Sequence, residues 1–168
     1  MSAPITTEPR LAGAAHWVST GARLVLGGVF VVAGVLKAID PQSSVSAVRA
    51  YQLLPTSFTT IVGWGLPFVE IALGLLLLAG IATRAVAGAA AILLLIFMAA
   101  VVSVAARGLS IDCGCFGGGG EVAPGQTAYG RELVRDAGLL LLALWLVWKP
   151  RSRFTLDRFS SPRIEASP

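Results

Sequence analysis

Long apolar stretches, separated by short polar breaks, constrain the fold of this chain more than any other feature. One of them, residues 85–106, carries no charged side chain. A membrane-spanning helix needs about 20 consecutive apolar residues, and these stretches approach or reach that length. The whole chain is 55% hydrophobic and only 13% charged, whereas soluble domains are roughly a quarter charged. The sequence therefore predicts a polytopic membrane protein.

Four such stretches predict an all-α fold, an integral membrane four-helix bundle. The predicted spans cover residues 19–39, 61–82, 85–106 and 133–148. Between the first two spans, Val45, Val48 and Tyr51 recur at roughly helical spacing. They predict a short helix that lies on the membrane surface, with a soluble amphipathic helix as the alternative.

The chain divides by composition into a tail (residues 1–16), a membrane domain (residues 17–149) and a basic tail (residues 150–168). Four spans place both termini on the same side, and that side carries more lysine and arginine. The positive-inside rule therefore predicts a multi-pass protein of the cell (plasma) membrane with both termini cytoplasmic. The net charge of +4 comes from residues at segment ends and in the tail, so no nucleic-acid partner is predicted.

The two cysteines of the chain, Cys113 and Cys115, flank Gly114 in a polar, glycine-rich loop at residues 108–130. The topology places this loop on the extracytoplasmic side, where disulfides persist. Thiol–disulfide exchange, a static disulfide, inert thiols and metal binding completed by a partner chain all remain open. Exchange is the preferred hypothesis, because the glycines at 117–120 would let an open loop reach a partner protein.

A reactive cysteine needs a lowered pKa, which a nearby positive charge provides. Arg107 is the nearest candidate cation by sequence, whereas the neighbouring carboxylate of Asp112 opposes it. The net direction of the shift is therefore open.

Glu70 is the single charged residue of the second span. A carboxylate at that depth is costly, so it must face the bundle, be paired or be protonated. Pro67 precedes it on the same helix face and removes one backbone hydrogen bond. An ion pair with Lys37 or Arg107 and a role in proton handling are both open. The tyrosines and tryptophans are attributed to membrane interfaces, so no cofactor and no metal is predicted, and quinone use is left open.

Several motifs occur together and in order along residues 19–148. They are Leu36-Lys37 with Asp40-Pro41, Tyr51-Gln-Leu-Leu-Pro55, Pro67-x-x-Glu70, Gly74, Gly80, Arg84 and Asp112-Cys-Gly-Cys-Phe-Gly117. In these motifs the chain resembles the DoxX-like membrane proteins, and specifically their MauE (methylamine utilisation protein MauE) branch. The resemblance implies a four-helix membrane bundle that acts beside thioredoxin-like proteins to form or rearrange disulfides in an exported client. For that branch, the implied client is the methylamine dehydrogenase small subunit.

The resemblance also implies that Cys113 and Cys115 form the redox pair. The supporting residues are Asp112, Gly114, Phe116, Gly117, Glu70, Pro67, Lys37 and Arg107. The resulting hypothesis is a membrane redox protein that exchanges disulfides with a thioredoxin-like partner and supports maturation of an exported protein. A non-catalytic subunit that anchors an oxidoreductase complex is the alternative, followed by a transporter or quinone-linked proton carrier using Glu70. Whether the chain is itself an enzyme or a component of a thiol–disulfide oxidoreductase is open.

Overall fold

The protein is mostly helical in a computed structural model, which describes residues 8–115, 117–123 and 125–149, with side chains from residue 16 onward. The helices are α1 (Glu8–Ile39), α2 (Pro41–Ala50), α3 (Thr56–Ala79), α4 (Thr83–Ala106) and α5 (Tyr129–Trp148). Two short antiparallel strands, β1 (Ile111–Asp112) and β2 (Gly120–Glu121), lie in the connection between α4 and α5. The prediction of a helical fold is confirmed, and the small hairpin in the connection was not predicted.

Three segments are long and apolar enough to cross a membrane. They are His16–Ile39, Thr56–Ala79 and Thr83–Ala106, which confirms the prediction of a multi-pass membrane protein. Helix α5 has the length of a span, but charged residues occupy its first two turns. The fourth span, and with it a complete four-helix membrane bundle, therefore stays a prediction.

The two predicted tails are described only in part. Helix α1 begins at Glu8, so residues 8–16 are helical where the sequence predicted a tail. The remaining tail residues, 1–7 and 150–168, lie outside the described residues.

Helices α1 and α3 pack closely because both carry glycines where their backbones meet. A Cβ atom on Gly34 would lie 2.7 Å from the carbonyl oxygen of Pro67, and one on Gly74 would lie 2.8 Å from the carbonyl oxygen of Gly27. Small residues at such positions let membrane helices approach each other. By contrast, a Cβ atom on Gly28 would meet no other atom within 4 Å.

The main apolar core lies between α1, α4 and α5, with one contribution from α3. Its buried members are Ala22, Leu26, Phe30, Leu77, Val86, Ala87, Ala90, Ala91, Leu94, Leu139, Ala143 and Leu146. The small side chains of Ala87 and Ala91 on α4 are among those buried between the helices. At one end of the core, Ser19 donates a hydrogen bond to the carbonyl oxygen of Lys149. That bond ties the end of α5 to α1.

Helix α2 packs against α3 and against the cysteine loop. Asp40 caps its first turn by accepting a hydrogen bond from the backbone N–H of Ser43, as helix N-caps commonly do. Val45 then fills the space left by the missing side chain of Gly63 on α3. The sequence predicted a short helix here, and one face of it is buried in the protein. Its position on the membrane surface stays a prediction.

Substitution of Gly34 by alanine tests the contact between α1 and α3. An alanine normally stabilises a helix relative to glycine by about 0.5–1 kcal/mol. At position 34 the new methyl group would overlap α3, and such overpacking costs about 1–3 kcal/mol. We expect Gly34→Ala to lower the thermal unfolding midpoint in detergent and Gly28→Ala to leave it unchanged or raise it. Equal effects of the two substitutions would contradict the packing described here.

Candidate functional site

The cysteine loop folds back onto the helices. Ile111, in β1, is buried in a small apolar cluster with Ala50 and Val104. The hydroxyl group of Tyr129 accepts a hydrogen bond from the N–H of Ile111 and donates one to the carbonyl oxygen of Leu109. The sequence suggested an open loop that reaches outward, and this expectation is wrong because both ends of the loop are fixed to the bundle.

A second tyrosine fixes the cysteine segment itself. The hydroxyl group of Tyr51 donates a hydrogen bond to the carbonyl oxygen of Cys113, at 3.3 Å. Arg107 in turn donates to the carbonyl oxygen of Tyr51, so its guanidinium group positions Tyr51. From the sequence, Tyr51 and Tyr129 were expected at the membrane interface. Arg107 was the cation expected to lower the pKa of a reactive cysteine. In the structure all three residues hold the loop in place.

Two glycines let the loop lie directly on α2. Gly114, between the cysteines, has a φ of +66°, and a Cβ atom there would lie 2.7 Å from the Cβ of Ala47. Gly119 has a φ of +109°, and its Cβ would meet the same methyl group at 2.5 Å. Glycine alone among the common residues adopts these angles readily. The glycines therefore serve close packing, where the sequence suggested flexibility.

The two cysteine sulfur atoms lie in contact with each other. The Sγ of Cys113 donates to the Sγ of Cys115 at 2.6 Å, and both cysteines are free thiols. Cys113 is buried, with 7% of its surface exposed, whereas Cys115 is half-buried. The open loop predicted from the sequence would expose both cysteines to water, and for Cys113 this is wrong.

The other predicted residues of the motif surround this pair. Asp112 accepts a hydrogen bond from the backbone N–H of Gly114 and tightens the turn between the cysteines. Gly117 lies against Leu36 of α1. Phe116 lies outside the described residues.

A buried ion pair lies in the helices beside the cysteines. Lys37 of α1 and Glu70 of α3 are joined by a contact of 2.5 Å between Nζ and Oε1, and both side chains are almost fully buried. Lys37 also lies over the ring of Phe97, 5.3 Å from its centre. Of the two interpretations of Glu70, the structure supports the ion pair with Lys37. Pro67, one turn before Glu70, is buried in α3 against α1.

The surroundings of the two sulfurs differ, and so do their acidities. The hydrogen bond from Cys113 lowers the pKa of the Cys115 thiol, and the positive charges of Lys37 and Arg135 act in the same direction against the effect of burial. The pKa of the Cys113 thiol is raised, first by that same hydrogen bond and then by burial. Cys113 therefore holds its proton more tightly, and Cys115 is the more readily ionised of the two thiols. Burial also raises the pKa of Tyr51, which keeps its phenol neutral as a donor.

Two buried acids of α5 complete the site. Glu132 and Asp136 lie one helical turn apart, and each has a carboxylate oxygen without a hydrogen-bond partner among the described residues. Glu132 is within hydrogen-bonding reach of the Cys113 side chain. Neither acid was among the site residues predicted from the sequence. The spacing of the two acids is the signal that could have identified them. It places them on the same face of α5 as the buried residues Leu139, Ala143 and Leu146.

The same groups include a partial set of metal ligands. One ligand atom each from Asp112, Cys113 and Glu132 lies within 4.8 Å of the others. Zinc accepts thiolate and carboxylate ligands, and three protein ligands would leave its fourth position open. A metal held here would occupy Cys113 and so compete with a disulfide. The sequence predicted that the protein binds no metal, and this group of ligands makes metal binding a question for experiment.

The acidity of Cys115 can be measured by its alkylation rate as a function of pH. Only the thiolate reacts, so a lowered pKa preserves the reactivity of Cys115 as the pH falls. We expect the midpoint for iodoacetamide labelling of Cys115 to lie below about 8.5, the value for an ordinary cysteine. In Cys113→Ala, which removes the hydrogen bond, the midpoint should rise. A wild-type midpoint at or above that of an ordinary cysteine would contradict the assignment of the thiolate.

Comparison with known proteins gives the family. A family model described as methylamine utilisation protein MauE matches residues 15–149, which include nearly all of the three candidate spans, helix α5 and the cysteine loop. The methylamine utilization protein MauE of Paracoccus denitrificans is 34% identical over 125 residues, which cover 74% of this chain and 67% of that relative. No solved structure matches the chain. The chain therefore belongs to the MauE family of membrane proteins.

Proposed function

We propose that this protein is a membrane redox protein in which Cys113 and Cys115 exchange a disulfide with a thioredoxin-like partner. One observation carries the proposal, namely two sulfur atoms 2.6 Å apart whose environments favour a thiol on one and a thiolate on the other. A disulfide bond is about 2.05 Å long, so only a small movement separates the free pair from a bonded one. If the two cysteines were inert, nothing would require their sulfur atoms to lie in contact.

The two cysteines have different roles in this proposal. Cys115 is the more accessible of the two, and its thiolate is stabilised by Lys37 and Arg135. It is therefore the sulfur that bonds to the partner. Cys113 is buried beside Glu132, and it forms and breaks the internal bond.

The exchange balances as a two-electron transfer. A thiolate of the reduced partner attacks the Cys115 sulfur of the disulfide, the bond to Cys113 breaks, and Cys113 leaves with the electron pair. The second thiol of the partner then releases its proton and attacks the partner sulfur of the mixed disulfide, and Cys115 leaves as the thiolate. The partner gains a disulfide, the released proton goes to Cys113, and the pair ends as the Cys113 thiol and the Cys115 thiolate. The same steps run in reverse when the partner is the oxidant.

The proposed setting is the plasma membrane, with the termini cytoplasmic, α5 as the fourth span and the cysteine loop outside. The preponderance of lysine and arginine on the side of the termini supports this orientation. An extracytoplasmic loop would meet exported proteins where disulfides persist. The family description names methylamine utilisation, so we include a protein of that process among the possible clients. Membership of the wider DoxX-like group stays a prediction.

The burial of Cys113 favours one alternative function. A non-catalytic subunit that anchors an oxidoreductase complex would need the cysteines only to fix the loop, and a buried sulfur suits that role. In this case a variant with both cysteines replaced by serine would still assemble and support the complex. The ion pair between Glu70 and Lys37 disfavours the transporter hypothesis, which relied on Glu70.

The trapping of mixed disulfides tests the proposed roles of the cysteines. Cys113→Ser removes the internal attacking group and leaves Cys115 free to bond, so this variant should accumulate a covalent complex with a partner in cells. Cys115→Ser is the matched control and should accumulate at least about tenfold less, a ratio that corresponds to roughly 1.4 kcal/mol. Complexes are counted on non-reducing gels and identified by mass spectrometry.

Two results would count against the proposal. Capture by Cys115→Ser in place of Cys113→Ser would reverse the assigned roles. Capture by neither variant, together with full function of the double serine variant, would favour the anchoring subunit.

A further inference from the structure

A cavity of about 230 Å³ lies beside the cysteine pair. Both sulfur-bearing residues and Lys37 contribute to its wall, and apolar side chains from the connection after α2 and from α3 and α4 make up much of the rest. Among the apolar residues are Leu53, Leu54, Val62, Leu66, Ile96 and Ala100. The mechanism of exchange described above makes no use of this space.

The cavity borders on the surface that faces the membrane. Val62 and Ile96 line it, and they are also 36% and 57% exposed on α3 and α4. Both helices are long and apolar enough to cross a bilayer, so their exposed apolar faces contact lipid. A ligand can therefore enter from the membrane between these two helices.

We propose that this cavity binds the ring of a lipid-soluble quinone, which accepts two electrons from the Cys113–Cys115 dithiol. The inference rests on the proposed function and adds the electron acceptor that it lacks. Quinones are apolar, travel in the membrane and accept two electrons, which is the number that a dithiol releases when it forms a disulfide.

The size and charge of the cavity favour this occupant. Pockets for drug-sized ligands measure about 300–1,000 Å³, so this cavity has room for a single substituted ring, and the isoprenoid chain would extend through the opening into lipid. The charged side chain of Lys37 in the wall suits a quinone oxygen, which becomes negative during reduction. A lipid acyl chain could fill the space, but it has no group that accepts electrons from the two sulfur atoms.

The redox step balances within the site. The two cysteine thiols lose two electrons and two protons and form one S–S bond. The quinone takes up two electrons and two protons and becomes the quinol. The wall residue Lys37 lies where it can stabilise the negative charge on the reduced ring.

The test uses the full-length reduced protein in lipid nanodiscs without oxygen, with decylubiquinone as the probe. The loss of thiols and the formation of quinol are followed together. Ala100→Phe fills the cavity from α4, and Ala99→Phe places the same ring on the exposed side of that helix. We expect wild type to reduce one quinone for each pair of thiols lost, Ala100→Phe to be at least about tenfold slower, and Ala99→Phe to match wild type.

A parallel reaction with oxidised glutathione separates this inference from the proposed function. All three proteins should be oxidised by this soluble disulfide at similar rates. If glutathione oxidises the cysteines and decylubiquinone does not, the quinone site is wrong and the disulfide exchange stands. If neither reagent oxidises them, both proposals are wrong. Equal rates for wild type and Ala100→Phe with the quinone would overturn the location of the site.

A second pair of variants provides for the case in which Ala100→Phe fails to fold. Val48→Phe fills the cavity from α2, and Ser46→Phe carries the same ring on the exposed side of α2. The first should slow oxidation by the quinone, and the second should leave it unchanged. Equal rates for these two variants would also overturn the location.

Discussion

The ion pair between Lys37 and Glu70 is the interaction on which the site depends. A single charge at the centre of a bilayer costs about 2.5–3.5 kcal/mol by insertion scales, and a buried charge that loses its partner is strongly destabilising. The two residues therefore require each other. Their contact requires that α1 and α3 approach closely, which the glycines at 34 and 74 permit. The lysine in turn supplies the positive charge that favours a thiolate on Cys115.

The cysteine loop depends on several weaker contacts made by residues distant in sequence. Tyr51 and Tyr129 hold its backbone, Arg107 holds Tyr51, and Ala47 supplies the flat surface on which two glycines rest. These contacts leave one sulfur buried and the other half-exposed. Such an arrangement suits a pair in which one sulfur meets the partner and the other completes the internal bond. In the two proposals, the pair lies between the surface that the protein partner approaches and the cavity that opens towards lipid.

Much of the fold follows from the sequence because a bilayer permits few structures. Uncharged stretches such as residues 85–106 must be helices, and Gly34 and Ala87 mark faces where helices meet. The cysteine motif also identified the centre of the site. The sequence could not show which way the loop folds, because loop glycines suit an open conformation as well as a packed one. Nor could it show that Glu132 and Asp136 face inward, since charged residues at a helix start are usually placed at the membrane surface.

The central claim is that Cys113 and Cys115 form one reversible disulfide, and a redox titration tests it most directly. The full-length protein in lipid is equilibrated with a series of dithiothreitol buffers of increasing oxidised fraction, quenched with acid, alkylated and weighed intact by mass spectrometry. We predict a single transition in which molecules carry two alkyl groups or none, because the two sulfurs gain and lose electrons together. The persistence of both alkylated thiols under the most oxidising buffers would contradict the account.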